Sequence, residues 1–185
     1  MSPEQALRTY FHAKDQNRPH LLNDVFSTDA RLEIRNRSDQ ISFPAVTNGL
    51  AGIADVLARR FNQTYENIYS FYLARPTSNE EAFSCSWLVV MTEKESKAVR
   101  VGCGRYDWAF QREPQLCVTE LIITIEVMLI LDAAMTGEMM RWVGQLDYPW
   151  SSAVTATCMP FIQELQPYLE RRSREIDTSG RWVHP

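Results

Sequence analysis

Two phenols, two indoles and one threonine are the polar side chains here whose types suit work inside an apolar site. Tyr10 lies in an N-terminal helical segment, and Trp87, Tyr106, Trp108 and Thr119 lie in strand-like segments. Each donates a hydrogen bond from a largely apolar body, which fits polarising a carbonyl or holding a developing oxyanion. Proton abstraction would also need a base within reach. The histidines do not offer one: His12 lies off the apolar stripe of its helix, His20 opens a second short helix, and His184 is near the C-terminal end. Cys85, Cys103, Cys117 and Cys158 are scattered, with no CxxC pair and no clustered histidine. They read as small buried hydrophobes, and no metal or cofactor is expected.

Strands must position these groups. Residues Ala98 to Leu131 read as one long antiparallel hairpin turning at Gln111 to Gln115. Because side chains alternate along a strand, Gly102, Gly104, Tyr106, Trp108 and Phe110 share one face. Val101, Cys103, Arg105, Asp107 and Ala109 share the other. In the second arm Thr119, Leu121, Ile123 and Ile125 are expected inward, and Val118, Glu120, Ile122 and Glu126 outward. Gly102 and Gly104 either keep space open beside the backbone or mark a bulge.

Earlier strands are expected at Ala30 to Arg37, at a short edge from Phe43 to Thr47, at Ile68 to Arg75 and at Ala82 to Thr92, with Ser27 to Asp29 as a turn. In the first, Leu32 and Ile34 face one way and Arg31, Glu33 and Arg35 the other. In the last, Phe83, Cys85, Trp87, Val89 and Met91 share a face. The charged strand residues are read as a solvated or inter-subunit salt-bridged face. A one-residue slip of register would turn Asp107 or Glu33 inward and supply a base.

Helices are expected at Pro3 to Asp15, with Ser2 as N-cap and Gln5 completing a capping box, and at Pro19 to Val25. Others run from about Leu50 to Asn62, Thr136 to Leu146 and Pro160 to Asp177.

This order, helix, short helix, strand, helix and then long antiparallel strands, resembles the cone-shaped nuclear-transport-factor-2-like superfamily, which includes ketosteroid isomerases, scytalone dehydratases and SnoaL-like cyclases. The segments that carry the likeness are Tyr10-Phe11-His12-Ala13, Val25 to Glu33, and Asn48 to Ile53. The resemblance implies an α+β fold: a strongly curved antiparallel sheet wrapped around N-terminal helices, forming a cone with an internal pocket. It covers residues 1–132, leaving 133–185 as a C-terminal helical extension packed on the same domain. It also implies that Tyr10 stands where ketosteroid isomerases place an oxyanion-donating phenol. The base of that family falls at Ile34, which cannot move a proton, and its protonated carboxylic acid falls at Tyr106. Scytalone dehydratases use cavity histidines, which these positions do not supply.

A chain of 185 residues with 45% hydrophobic and 23% charged residues fits one folded domain. Its net charge of -4 provides no basic stripe for nucleic acid. The apolar run from Leu121 to Leu131 is short for a membrane span and holds Glu126. Neither a basic region nor an apolar core of a secretory signal opens the chain, so a cytoplasmic protein is expected. The expected function is binding of a small hydrophobic molecule by Tyr10, Ile34, Trp87, Tyr106, Trp108 and Thr119, without an evident general base. One alternative is an isomerase, dehydratase or cyclase acting on a hydrophobic cyclic carbonyl compound, with Tyr10 and Tyr106 as oxyanion donors. A second is a dimeric interaction subunit with a filled pocket, marked by a cavity well below roughly 300 Å³. Val101, Cys103, Ala109, Val118 and Ile122 form an apolar outer face, expected to pair two copies as a homodimer. Met139, Met140, Trp142, Tyr148 and Trp150 are expected either to lid the pocket or to cover a sheet edge.

Overall fold

A computed structural model describes residues 1–77 and 80–152. The expected helix from Pro160 to Asp177, together with Cys158 and His184, lies outside the described residues. Helix α1 (Pro3–Asp15) begins at Ser2, whose hydroxyl accepts from the Gln5 backbone while the Gln5 side chain accepts from the Ser2 backbone. That reciprocal cap contributes on the order of 1 kcal/mol. The segment after it forms a single 3₁₀ stretch, Pro19–Asp24.

Strand β1 (Phe26–Asn36) starts earlier than expected, because the supposed turn at Ser27 to Asp29 is an irregular stretch of strand. After the short edge strand β2 (Val46–Asn48) comes one continuous helical run. It consists of α2 (Leu50–Ala54), a π-helical segment Asp55–Arg60, and α3 (Phe61–Thr64). Strands β3 (Tyr65–Tyr72), β4 (Ala82–Glu93), β5 (Val99–Gln111) and β6 (Cys117–Leu131) complete the sheet. Strand β3 begins three residues before its expected start, since Tyr65 pairs with Glu93 as soon as α3 ends.

The strand order is β2-β1-β6-β5-β4-β3. The sheet is mixed rather than wholly antiparallel: β6 returns beside β1 running in the same direction. Two bulges in β6 bend the central hairpin, one opposite the Cys103/Gly104 step and one opposite Ala109/Phe110. The second corrects the expected facing of the first residues of β6. Val118 is fully buried on the inner face opposite Phe110, not on the outer face, because one extra residue reverses the alternation. The charged residues lie on the outer side as expected, but they pair within the chain: Arg31 bridges Glu33 and Glu120, Arg35 bridges Glu33, and Arg105 bridges Asp107.

The inner face packs on α1 and the helical run to form the main core, in which Phe11 stacks on Tyr72 with ring centroids 3.9 Å apart. A second core lies on the outer face. There Met139, Trp142 and Val143 of α4 (Thr136–Val143) cover Phe71, Leu88, Val90, Val101 and Cys103. The C-terminal side of the chain thus occupies part of the face expected to pair two copies, and Val101 and Cys103 are buried within the chain itself. The following segment finishes the β3 edge: the Tyr72 amide donates to the Pro149 carbonyl, the Ser151 amide donates to the Tyr72 carbonyl, and Trp150 stacks on Tyr72. Sheet cover, not a lid, is what Met139, Trp142 and Trp150 provide. Among the described residues no helix is long and apolar enough to cross a membrane.

Candidate functional site

Between α1 and the concave side of the sheet lies a cavity of about 50 Å³. From α1 it receives Tyr10 and Lys14, which are four residues apart and therefore on one helix face. Strands supply Ile34, Ser70, Trp87 and Tyr106, with Ile123 and Met128 as apolar walls. Ile41 and Phe43 line one end from the loop after β1, where Phe43 stacks with Phe61. That loop is tied down by two side chains: Asn36 donates to the Ile41 carbonyl, and Arg100, itself paired with Glu93, donates to the Gln40 carbonyl. A groove of about 200 Å³ lies beyond it, sharing Ile41, Phe43 and Phe61 and adding Val56, Arg60 and Tyr65.

Of the six side chains expected to hold a ligand, Tyr10, Ile34, Trp87 and Tyr106 line this cavity. Trp108 and Thr119 do not. Trp108 is core, set edge-on against Tyr10 at 5.0 Å. Thr119 falls in the second β6 bulge, and its hydroxyl donates to the Ala109 carbonyl instead. Ile34 places an aliphatic wall where the resemblance put the base. His12 stacks on Tyr148, and neither His12 nor His20 lines the cavity.

Two of the lining donors lack partners. The Tyr10 hydroxyl and the Trp87 indole Nε1 are buried, and neither reaches an acceptor at hydrogen-bond geometry. Burial pushes the Tyr10 phenol far above its ordinary value; the neighbouring Tyr106 hydroxyl, directed at the Tyr10 oxygen, opposes this. Burial also raises Tyr106 and Tyr72 well above theirs. All three remain neutral donors at physiological pH. The folded values exceed that of an unfolded tyrosine, about 10, so above that pH the unfolded chain has lost protons that the folded chain still binds. The resulting stability is complete below about pH 10 and falls as pH rises further. Alkaline titration should therefore show these phenols ionising together with unfolding. Ionisation at ordinary values, in protein that stays folded, would show that water reaches them.

Sequence reasoning missed Lys14, which breaks the apolar stripe of α1 yet is buried. Its ammonium lies 2.5 Å from Asp15 Oδ1 and donates to Ser70 Oγ at 2.7 Å, beneath the Phe61 ring at 4.8 Å. The Asn62 side chain donates to the Lys14 and Ala58 carbonyls, holding the end of α1 against the helical run. A signal was available: Lys14 follows Tyr10 by one helical turn. Among the described residues, no carboxylate or imidazole lines the cavity; its ionisable groups are Lys14, Tyr10 and Tyr106.

No protein-family model and no curated protein matches the sequence. Solved structures do. A nuclear transport factor 2 (NTF2-like) superfamily protein from Salmonella enterica superimposes with a TM-score of 0.54 at 13% identity, covering 67% of this chain and 88% of that one. A hexachlorocyclohexane dehydrochlorinase from Novosphingobium barchaimii gives 0.52 at 12%, covering 68% and 85%. A protein of ketosteroid isomerase-like fold from Catenulispora acidiphila, solved with trimethylamine, gives 0.51 at 13%, covering 66% and 85%.

Proposed function

We propose, from the nuclear-transport-factor-2-like fold that these likenesses establish, that this chain binds a small, mainly apolar molecule through an acceptor oxygen. The oxygen sits between Tyr10 and Trp87, and the apolar body extends past Ile41 and Phe43 toward the outer groove. The observation that carries this reading is the pair of buried donors without partners. A buried donor left unsatisfied costs about 1–3 kcal/mol, and a carbonyl oxygen with two lone pairs answers both. Proton abstraction has less support, since Ile34 stands at the position of the base and Lys14 is already ion-paired.

The size of the inner cavity favours a second reading. At about 50 Å³ it holds a few waters, against roughly 300–1,000 Å³ for ordinary ligand sites. A filled cone serving as an interaction subunit would look like this. Homodimerisation, in either reading, would have to use outer-face residues outside the α4 cover, such as Ile122.

Acetophenone and cumene, which match in size and differ in the carbonyl, separate the two readings. Acetophenone should bind and shift the indole N–H resonance of Trp87, assigned with Trp87→Phe. Tyr10→Phe should weaken acetophenone about five- to tenfold, the worth of one neutral hydrogen bond, with little change in melting temperature, because the lost O–H donates to no acceptor in the fold. Equal binding of both compounds would show that the two donors do not engage the ligand and would sink the acceptor-oxygen reading, and binding of neither would leave the filled cone as the function of choice.

A further inference from the structure

We infer that the buried Lys14–Asp15 ion pair makes the cavity selective for an uncharged head group, with Asp15 as the residue that turns anions away. This rests on the binding reading above and specifies the class of ligand.

A lysine lining a cavity ordinarily suggests recognition of an anion. Here its charge is already matched. The Lys14 and Asp15 side chains are 7% and 2% exposed, and their charged atoms lie 2.5 Å apart. Asp15 is saturated with donors: besides the ammonium it accepts from the Ser70 amide at 3.0 Å, the Ser70 hydroxyl at 2.9 Å and the Tyr148 hydroxyl at 3.1 Å. Lys14 gives one N–H to Asp15 and one to Ser70, and the aromatic faces of Phe61 and Phe11 flank the charge. Its third N–H is uncommitted, but the charge behind it is already compensated at 2.5 Å by Asp15.

The pair therefore contributes no net positive charge to the cavity. A carboxylate placed at Tyr10 and Trp87 would be a second negative charge in the same mostly apolar space, held by neutral donors. Burial of an unmatched ion is strongly disfavoured. A ketone, ester or amide oxygen uses the same two donors with no such penalty.

Acetophenone, benzamide and benzoate provide the test, because benzamide and benzoate have nearly the same shape and differ in charge. In the native protein at neutral pH, acetophenone and benzamide should bind alike and benzoate at least about tenfold more weakly, a difference of about 1.4 kcal/mol. Asp15→Asn exposes the Lys14 charge and should strengthen benzoate by about tenfold or more, while acetophenone stays within a few-fold and reports an intact cavity. Benzoate binding the native protein as tightly as benzamide would overturn the inference and leave the binding reading standing. An Asp15→Asn variant that holds acetophenone without gaining benzoate would also overturn it. If none of the three compounds binds, both the inference and the binding reading fail. The comparison in the native protein decides the matter even if the variant does not fold.

Discussion

Replacing Gly104 by alanine should destabilise the protein by about 3 kcal/mol or more, through overpacking against atoms that cannot move aside. A Cβ there would fall on the Thr124 carbonyl oxygen of β6 and within 2.8 and 2.9 Å of the Trp87 indole. The first obstacle is backbone. The second is a ring wedged directly opposite Gly104 in the β4–β5 register. For a chain of this size the melting temperature should drop by roughly 6–12 °C, and the indole that lines the cavity would be displaced with it. Gly102→Ala is the internal control. Its Cβ would meet mainly the terminal methyl and sulfur of Met128, a side chain that can swing. Thermal melts of the two variants should therefore differ by several degrees. Equal melting temperatures would mean that β6 shifts freely at its bulge and that the indole is not locked by the glycine.

Lys14→Met should cost about 3 kcal/mol, because it leaves the Asp15 carboxylate buried without its counter-ion. The three donors remaining to Asp15, from Ser70 and Tyr148, keep the loss at the low end of the range for a broken buried pair. Adding Asp15→Asn should restore most of it, since an amide can keep accepting from Ser70 without carrying charge. The double variant would thus be more stable than Lys14→Met alone, a non-additivity of about 2 kcal/mol. Denaturant melts of the four proteins in the cycle give this number directly. Simple additivity, or a loss under about 0.5 kcal/mol for Lys14→Met, would show that water screens the pair, and with it would go the basis for excluding anions.

The order of elements was legible in the amino-acid sequence, because it depends on local signals. The Ser2/Gln5 cap, the helical spacing of Leu7, Tyr10 and Phe11, and the two-residue alternation of Phe83, Cys85, Trp87, Val89 and Met91 each act within a few residues. The same signals put Tyr10, Trp87 and Tyr106 on faces that the fold brings to one cavity. The rest depends on contacts between residues distant in the chain. A bulge changes which way side chains point without changing the pattern of residue types, so Val118 turned inward and Thr119 was lost from the site. A long-range partner can outweigh the polarity of a residue, and so Lys14 is buried against Asp15, Ser70 and Phe61. An apolar face does not specify its own cover, and the outer sheet took α4 of the same chain over Val101 and Cys103. Parallel pairing of β1 with β6 likewise joins residues about ninety positions apart, beyond the reach of any local signal.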